Sequence, residues 1–329
     1  MLRTLILIPN NFFDYISLHK LLVEPPSILE IKNLKTFFPV RSGLFKRVKG
    51  HVRAVDNVSF HIQAGETLGM VGESGCGKST TGKSILRLLP ITSGEIIFDG
   101  VSINSIKDDQ LRKLRPKMQM IFQDPFSSLN PRLSVGKIIS EPIRVHSNLK
   151  EDEIKKKVNE LLSYVGLLPE HVERFPHEFS GGQRQRICIA RALSLEPKLI
   201  VADEAVSALD VTIKAQIVNL MIDLQQKFNI SFLFISHDMA TIERISHRVA
   251  VMYLGKIVEI GSRRNIFENP QHPYTKKLLS AVPTADPLSR RTETMFHNQE
   301  IPTVIKPLDY IDEEFKYEEV EAKHFVSIN

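Results

Sequence analysis

The run Gly72-Glu73-Ser74-Gly75-Cys76-Gly77-Lys78-Ser79-Thr80 spells G-x-x-x-x-G-K-[ST], and its residue types point to phosphate chemistry. Glycines let successive backbone N–H groups turn inward around phosphate oxygens, because no Cβ obstructs them. A helix beginning near Lys78 brings the positive end of its dipole to the same place. Lys78 is then expected to reach the β- and γ-phosphates of a nucleotide, and the Ser79 hydroxyl to ligate Mg²⁺. The motif carries this meaning only between a buried strand and a helix. Thr67-Leu-Gly-Met-Val71 and a helical stretch over 79–89 provide that frame.

A second element is needed to hold the metal. Leu199-Ile-Val-Ala-Asp203-Glu204 places two carboxylates at the C-terminal end of an apolar run, where α/β sheets present their ligands. Asp203 is expected to bind Mg²⁺ through its water shell, and Glu204 to polarise an attacking water as general base. Between these two sites lies Ser180-Gly181-Gly182-Gln183, followed by a helical run from Arg184 to Leu193. A serine cap, a flexible backbone and a helix start make another anion site, this one without a lysine. Two phosphate-binding termini but one lysine imply that the second serves a neighbouring chain's nucleotide.

These side chains need strands and helices to carry them. Leu199–Asp203 and Ile230–Ile235 are continuous apolar runs, as expected of parallel strands covered on both faces. The segment 213–228 between them repeats apolar residues at helical spacing (213, 217, 220, 221, 224), giving a βαβ unit. Met118–Phe122 is a further short strand, and Ile28–Ile31 and Val55–Ile62 alternate with period two. A basic, glycine-bounded segment, 41–51, joins the last two, either as a solvated hairpin or as a contact for lipid headgroups. Pro125, Pro131 and Pro142 punctuate a loop, and the pattern over 153–162 is helical, so residues 124–180 read as a helical insertion.

The chain of 329 residues carries 42% hydrophobic and 25% charged residues, which excludes global disorder. Its net charge of +5 is too slight to indicate nucleic-acid binding, and none is expected. Cys76 and Cys188 are too few and too far apart for a disulfide framework or a zinc pattern, which fits a reducing compartment. The apolar N-terminal run stops at Pro9 without a cleavage-type site, so no signal peptide is read there, and no stretch approaches a membrane span. The expected divisions are a leader of unassigned role over 1–27, a nucleotide-binding domain over 28–262 and a C-terminal extension over 263–329.

Phe179-Ser-Gly-Gly-Gln183 resembles the signature motif of ABC ATPases, and the remaining motifs of that family follow in order. Gln123 is similar to the Q-loop glutamine, Ser207-Ala-Leu-Asp210 to the D-loop, and His237 to the switch histidine that contacts the γ-phosphate. Phe38 matches the aromatic that stacks on adenine, although Phe37 is adjacent. The resemblance implies an α/β fold, a P-loop NTPase of ABC type with a RecA-like core, an antiparallel β subdomain and a helical insertion. Its cofactors would be ATP and Mg²⁺, with Ser79, Gln123 and Asp203 around the metal.

Phe122-Gln-Asp-Pro-Phe-Ser-Ser-Leu-Asn-Pro131 and His272-Pro-Tyr-Thr-Lys-Lys-Leu-Leu-Ser-Ala-Val-Pro283 narrow the likeness to ATPases of oligopeptide and dipeptide importers, with nickel and glutathione systems as near relatives. Such importers imply a second ATPase subunit (by precedent a heterodimer), two membrane permease subunits and an external substrate-binding protein. They place the chain peripherally on the cytoplasmic face of the membrane. Ala205 departs from the family's usual proline, and the tail lacks its cysteine-rich segment. A non-transport ABC ATPase would call for tandem motor domains, a coiled-coil insertion or a strongly basic surface. A catalytically silent subunit would not keep Lys78, Asp203, Glu204 and His237.

Overall fold

The computed structural model describes residues 26–42, 47–281, 305–307, 310 and 316–328. Most of the 1–27 leader, the tip of the basic segment at 43–46 and Pro283 lie outside them.

The chain begins with β1 (Ser27–Ser42) and β2 (Arg47–Gln63), then β3 (Thr67–Val71), α1 (Lys78–Ile85), β4 (Ser93–Phe98) and β5 (Val101–Ser102). Helix α2 (Asp108–Leu114) and β6 (Met118–Ile121) lead into α3 (Pro125–Ser128), α4 (Val135–His146), α5 (Glu151–Tyr164) and α6 (Gly181–Leu193). There follow β7 (Leu199–Asp203), α7 (Val211–Phe228), β8 (Ser231–Ser236), α8 (Met239–Ile245), β9 (Arg248–Tyr253) and β10 (Lys256–Ser262). Helices α9 (Arg263–Glu268) and α10 (Pro273–Ser280) and strands β11 (Ile305–Pro307), β12 (Tyr317–Glu321) and β13 (His324–Ser327) complete it.

Among the described residues two sheets form. One is antiparallel, ordered β11-β2-β1-β4-β5; the other runs β12-β13-β10-β9-β3-β8-β7-β6. In the second, β9, β3, β8, β7 and β6 pair in parallel, which brings the C-terminal ends of β3, β8, β7 and β6 to one edge. The apolar runs of these strands divide between two cores. Leu199, Val201, Leu233 and Ile235 join the antiparallel sheet and α1, whereas Ile200, Ala202, Phe232 and Phe234 join α4, α5, α6 and α7. That division is why the strands lack polar alternation: both faces are covered, and each buried large side chain contributes roughly 1.5–3 kcal/mol.

Two expectations change, and a third is met in part. The loop punctuated by prolines is largely helical: Pro125 opens α3, and Pro142 lies inside α4. A proline there forfeits one intrahelical bond, but Ile138, Ile139 and Ile143 are all buried on one side of α4, and that packing holds the helix. Helix α1 stops at Ile85 instead of running to Leu89, because Arg87 turns left-handed (φ 49°) and its guanidinium donates to the carbonyls of Ile103 and Ile106 at 3.1 Å. The segment 41–51 is a hairpin, since β1 and β2 pair as far as Ser42 and Arg47.

The tail, which shows only weak periodicity in sequence, contributes to both sheets: β11 pairs with β2, and β13 pairs with β10. Its anchor is Glu259 of β10, wholly buried. Glu259 Oε1 accepts from the Gln271 amide at 2.8 Å and Oε2 from the His272 amide at 3.0 Å, while buried His324 places Nε2 2.8 Å from Oε1. Burial also lowers the His272 pKa from its ordinary value, against the pull of Glu259. One carboxylate thus joins the sheet, the turn before α10 and the last strand. Glu259→Gln must turn an N–H toward one of these donors. It should lose about 1–3 kcal/mol in urea unfolding and expose the tail earlier in limited proteolysis.

Candidate nucleotide site

Strand β3 leads directly into the Gly72–Gly77 loop, and α1 begins at Lys78. Gly77 has φ 110°, and a Cβ there would lie 1.9 Å from the Ala54 carbonyl oxygen, so only glycine permits the loop to close against β2. The loop is held from outside as well: the Gly255 amide donates to Cys76 O at 2.9 Å. Ser74 and Gly75 lie exposed at the mouth, Glu73 is exposed beside them, and Thr80 is half-buried on the helix behind.

Lys78 is 4% exposed, and its ammonium donates to the carbonyls of Gly72 (2.7 Å) and Glu73 (2.8 Å), with Cys76 Sγ at 3.6 Å. Among the described residues it has no carboxylate partner. A buried cation answered only by neutral dipoles leaves the cradle electropositive, and an anion is what completes it. Burial raises the Cys76 thiol pKa in spite of neighbouring Lys78, keeping it a thiol.

The Ser79 hydroxyl donates to Asp203 Oδ1 at 2.6 Å, joining the start of α1 to the end of β7. Burial pushes the Asp203 carboxyl above its usual range, against the hydrogen bond from Ser79. A hydroxyl and one carboxylate suit a hard cation that keeps several waters and takes its other ligands from phosphate, as Mg²⁺ does. Among the described residues no group of three His, Cys, Asp or Glu side chains is placed to hold a metal ion.

Glu204 adopts a left-handed backbone (φ 48°), a conformation that costs a non-glycine residue about 1–2 kcal/mol. Its amide donates to Ile235 O at 2.9 Å, and its carbonyl accepts from the Ser207 hydroxyl at 3.0 Å, so the turn is pinned on both sides. The carboxylate is thereby set between two strands' ends. Gln123 Nε2 donates to Oε2 at 2.7 Å, and His237 Nδ1 lies 3.3 Å from Oε1. Lys214 of α7 reaches Asp238 at 2.8 Å and holds the loop that carries His237.

Ser180, Gly181, Gly182 and Gln183 form the start of α6 and are not bonded to the Gly72–Thr80 loop. The Ser180 hydroxyl accepts from the Gln183 amide at 3.3 Å, and Gln183 Oε1 accepts from the Ser180 amide at 3.0 Å, a reciprocal cap. Arg184, next along, stacks its guanidinium 3.6 Å from the exposed Phe126 ring and bonds to Pro176 O at 2.7 Å. The segment after Gln123 therefore rests on the helix that Ser180 caps.

Thr36 of β1 bonds through Oγ1 to Ser84 Oγ of α1 at 3.0 Å. Phe38, two residues on, is half-buried, and the β1–β2 register shifts between Thr36 and Phe37. The Arg53 guanidinium lies over the Phe37 ring, 4.8 Å from its centroid. Missed by sequence reasoning are the Phe126–Arg184 stack, the Lys214–Asp238 pair and Tyr274. The Tyr274 hydroxyl accepts from the Glu73 amide at 2.9 Å, although 201 residues separate them. Tyr274 stands within a quoted motif, yet nothing local in the sequence ties it to the loop.

A strand, a glycine loop closing on a buried lysine, and a Ser–Asp pair at the next strand but one define a P-loop nucleotide-binding cassette. Residues 55–207 match the ABC transporter family, and residues 258–306 match the oligopeptide/dipeptide transporter C-terminal region. The chain belongs to the ABC transporter family, in the branch that carries this C-terminal region. It is 58% identical over 300 residues to the glutathione import ATP-binding protein GsiA of Pectobacterium atrosepticum, covering 91% of this chain and 48% of that protein. The GsiA of Escherichia coli strain K12 is 58% identical over 286 residues, covering 87% and 46%. The chain thus spans about half the length of the curated relatives it matches. Among solved structures, the ATP-binding cassette MJ0796, a dimer in a post-hydrolysis state bound to ADP and Pi, superposes with a TM-score of 0.64 at 28% identity, covering 72% of this chain and 99% of that one. CbiO1 of Clostridium perfringens, part of the ABC transporter complex CbiONQ, gives 0.64 at 29%, covering 74% and 91%.

Gly77→Ala should destabilise the chain by at least about 2 kcal/mol, since a Cβ meets backbone there. Gly75→Ala, whose Cβ would meet nothing within 4 Å, should cost only the backbone strain of its φ of 81°, about 1 kcal/mol. Urea titrations of the two variants side by side check the difference.

Proposed function

We propose that this chain is the ATP-hydrolysing subunit of an ABC importer, coupling ATP binding and hydrolysis to uptake of di- and oligopeptides. The observation that carries the reading is the buried Lys78 ammonium, held by two carbonyls and the Cys76 thiol with no carboxylate partner among the described residues, beside the Ser79–Asp203 pair. In this reading Gly72 to Thr80 cradle the phosphates, Lys78 neutralises the β- and γ-phosphate oxygens, and Phe38 stacks on adenine. Ser79, Asp203 and Gln123 hold Mg²⁺, which when bound neutralises phosphate charge. Glu204 orients and deprotonates the attacking water, and His237 senses the γ-phosphate from the far side of the same carboxylate. Phosphoryl transfer asks for positioning and charge neutralisation, which these groups offer.

Ser180 to Gln183 are directed to the ATP of a second ATPase subunit, because they cap a helix without bonding to their own chain's loop. The dimeric state of the MJ0796 cassette supports this arrangement. ATP closes such a dimer because it contacts both halves only when closed. The Phe126–Arg184 stack offers a route from Ser180 to the surface after Gln123, where two membrane permease subunits would dock. No described helix is long and apolar enough to cross a membrane; in this reading the chain meets the membrane peripherally through the permease subunits, which an external substrate-binding protein supplies.

The name of the relatives favours glutathione, itself a tripeptide, as a specific cargo within the peptide class. The test is uptake of labelled dipeptide, oligopeptide, glutathione and nickel in cells carrying wild type or Glu204→Gln. The variant should bind ATP yet hydrolyse it about 10²–10⁴-fold more slowly, and transport of the true cargo should stop. Wild-type uptake of every peptide in cells carrying Glu204→Gln and no redundant system would sink the peptide reading. Full ATPase activity in that variant would sink the role of Glu204.

A further inference from the structure

Among the described residues, Tyr274 is a buried polar group from the C-terminal region that touches the phosphate cradle. Its ring packs against Tyr253, with centroids 4.2 Å apart, and only 7% of the residue is exposed. Its amide donates to His272 Nδ1 at 3.1 Å, and the His272 amide in turn donates to the buried Glu259 carboxylate at 3.0 Å. The phenol is therefore fixed from the C-terminal side, and its oxygen accepts the Glu73 N–H at 2.9 Å.

That N–H belongs to the same peptide unit as the Gly72 carbonyl, which accepts from Lys78 Nζ at 2.7 Å. In a trans peptide the N–H and C=O point in opposite directions. Fixing the N–H on Tyr274 therefore aims the carbonyl at Lys78. Hydrogen bonds in such a chain also polarise one another, which strengthens the carbonyl's hold on the ammonium. Rotating this peptide would remove one of the two carbonyls that keep the cation in position. Burial keeps Tyr274 protonated far above neutral pH, so the contact persists across the physiological range.

We propose that Tyr274 is a positioning residue for the nucleotide site, through which the C-terminal region sets the orientation of the 72–73 peptide and hence the place of the Lys78 ammonium. The inference rests on the ATP-binding reading and adds to it a residue far outside the nucleotide motifs. It makes the C-terminal region part of the ATP site and not only an appendage to the sheet.

The experiment compares the full-length wild type with Tyr274→Phe, Tyr274→Leu and Lys78→Ala. It measures ADP and Mg-ATP affinity by titration, steady-state ATP hydrolysis and thermal unfolding. Tyr274→Phe keeps the ring on Tyr253 and removes only the acceptor. Its nucleotide Kd and its KM for ATP should rise about fivefold, the scale of one hydrogen bond, with kcat at saturating ATP within about twofold. Its Tm should stay near wild type, whereas Tyr274→Leu should lower Tm as well by opening the packing on Tyr253. An unchanged Kd in Tyr274→Phe overturns the inference, whatever happens to Tm, because packing alone would then be the role. A fall in kcat as large as the rise in KM, tracking a fall in Tm, also overturns it. Loss of binding in Lys78→Ala with none in Tyr274→Phe would overturn this inference alone. Retained binding in Lys78→Ala would overturn the ATP-binding reading beneath it.

Discussion

A buried lysine ammonium must be surrounded by oxygen, and the site follows from how this chain meets that demand. Lys78 is nearly inaccessible, so its charge has to be answered by groups brought to it. The loop answers with two of its own carbonyls, which requires a tight turn of backbone pressed against Ala54 and Met252. That turn can exist only where a buried strand hands over to a helix. The rest of the α/β core supplies the fixed strand, the covered sheet and the helix N-terminus around it.

Once the loop is set, the parallel sheet decides what stands beside it. Strands β3, β8, β7 and β6 end at one edge, so residues distant in sequence arrive together: Ser79 with Asp203, and Gln123 and His237 with Glu204. The left-handed backbone at Glu204 is a local cost, and it is held by its amide donating to Ile235 O and by the Ser207 hydroxyl donating to its carbonyl. Strain kept in this way points the carboxylate along the edge instead of into the core. Two aromatic contacts carry the arrangement outward, Phe126 on Arg184 and Tyr274 on Tyr253. Through them the site meets the helical region on one side and the C-terminal region on the other.

The two cores hold the strands that form this edge from both faces. Alternate residues of each central strand enter different hydrophobic clusters, one shared with the antiparallel sheet and the other with the helices of 135–193. Neither layer can shift without disturbing the strands between them, since packed interiors tolerate little displacement. The helical region is joined to the strands through apolar packing, and α3 is tied to α6 by the Phe126–Arg184 stack and by Arg191 donating to Ser128 O.

Much of this was legible in the residues themselves. Glycines beside a lysine and a serine, after a buried strand, admit few readings, because few other types of residue let amides converge on phosphate. Continuous apolar runs announced strands covered on both faces, and the periodicity over 213–228 announced its helix. The family resemblance, carried by short motifs in order, gave the fold class that the sheets and structural neighbours bear out. Sequence could not reveal that Pro142 lies within a helix, since three buried isoleucines from tertiary packing outweigh one lost hydrogen bond. Nor could it show that the weakly patterned tail pairs with both sheets, because strand pairing there depends on the buried Glu259 and His324 meeting across 65 residues. The contact of Tyr274 with Glu73 lies beyond sequence for the same reason: local chemistry is set by neighbours along the chain, whereas the partner of a buried hydroxyl is chosen by the fold.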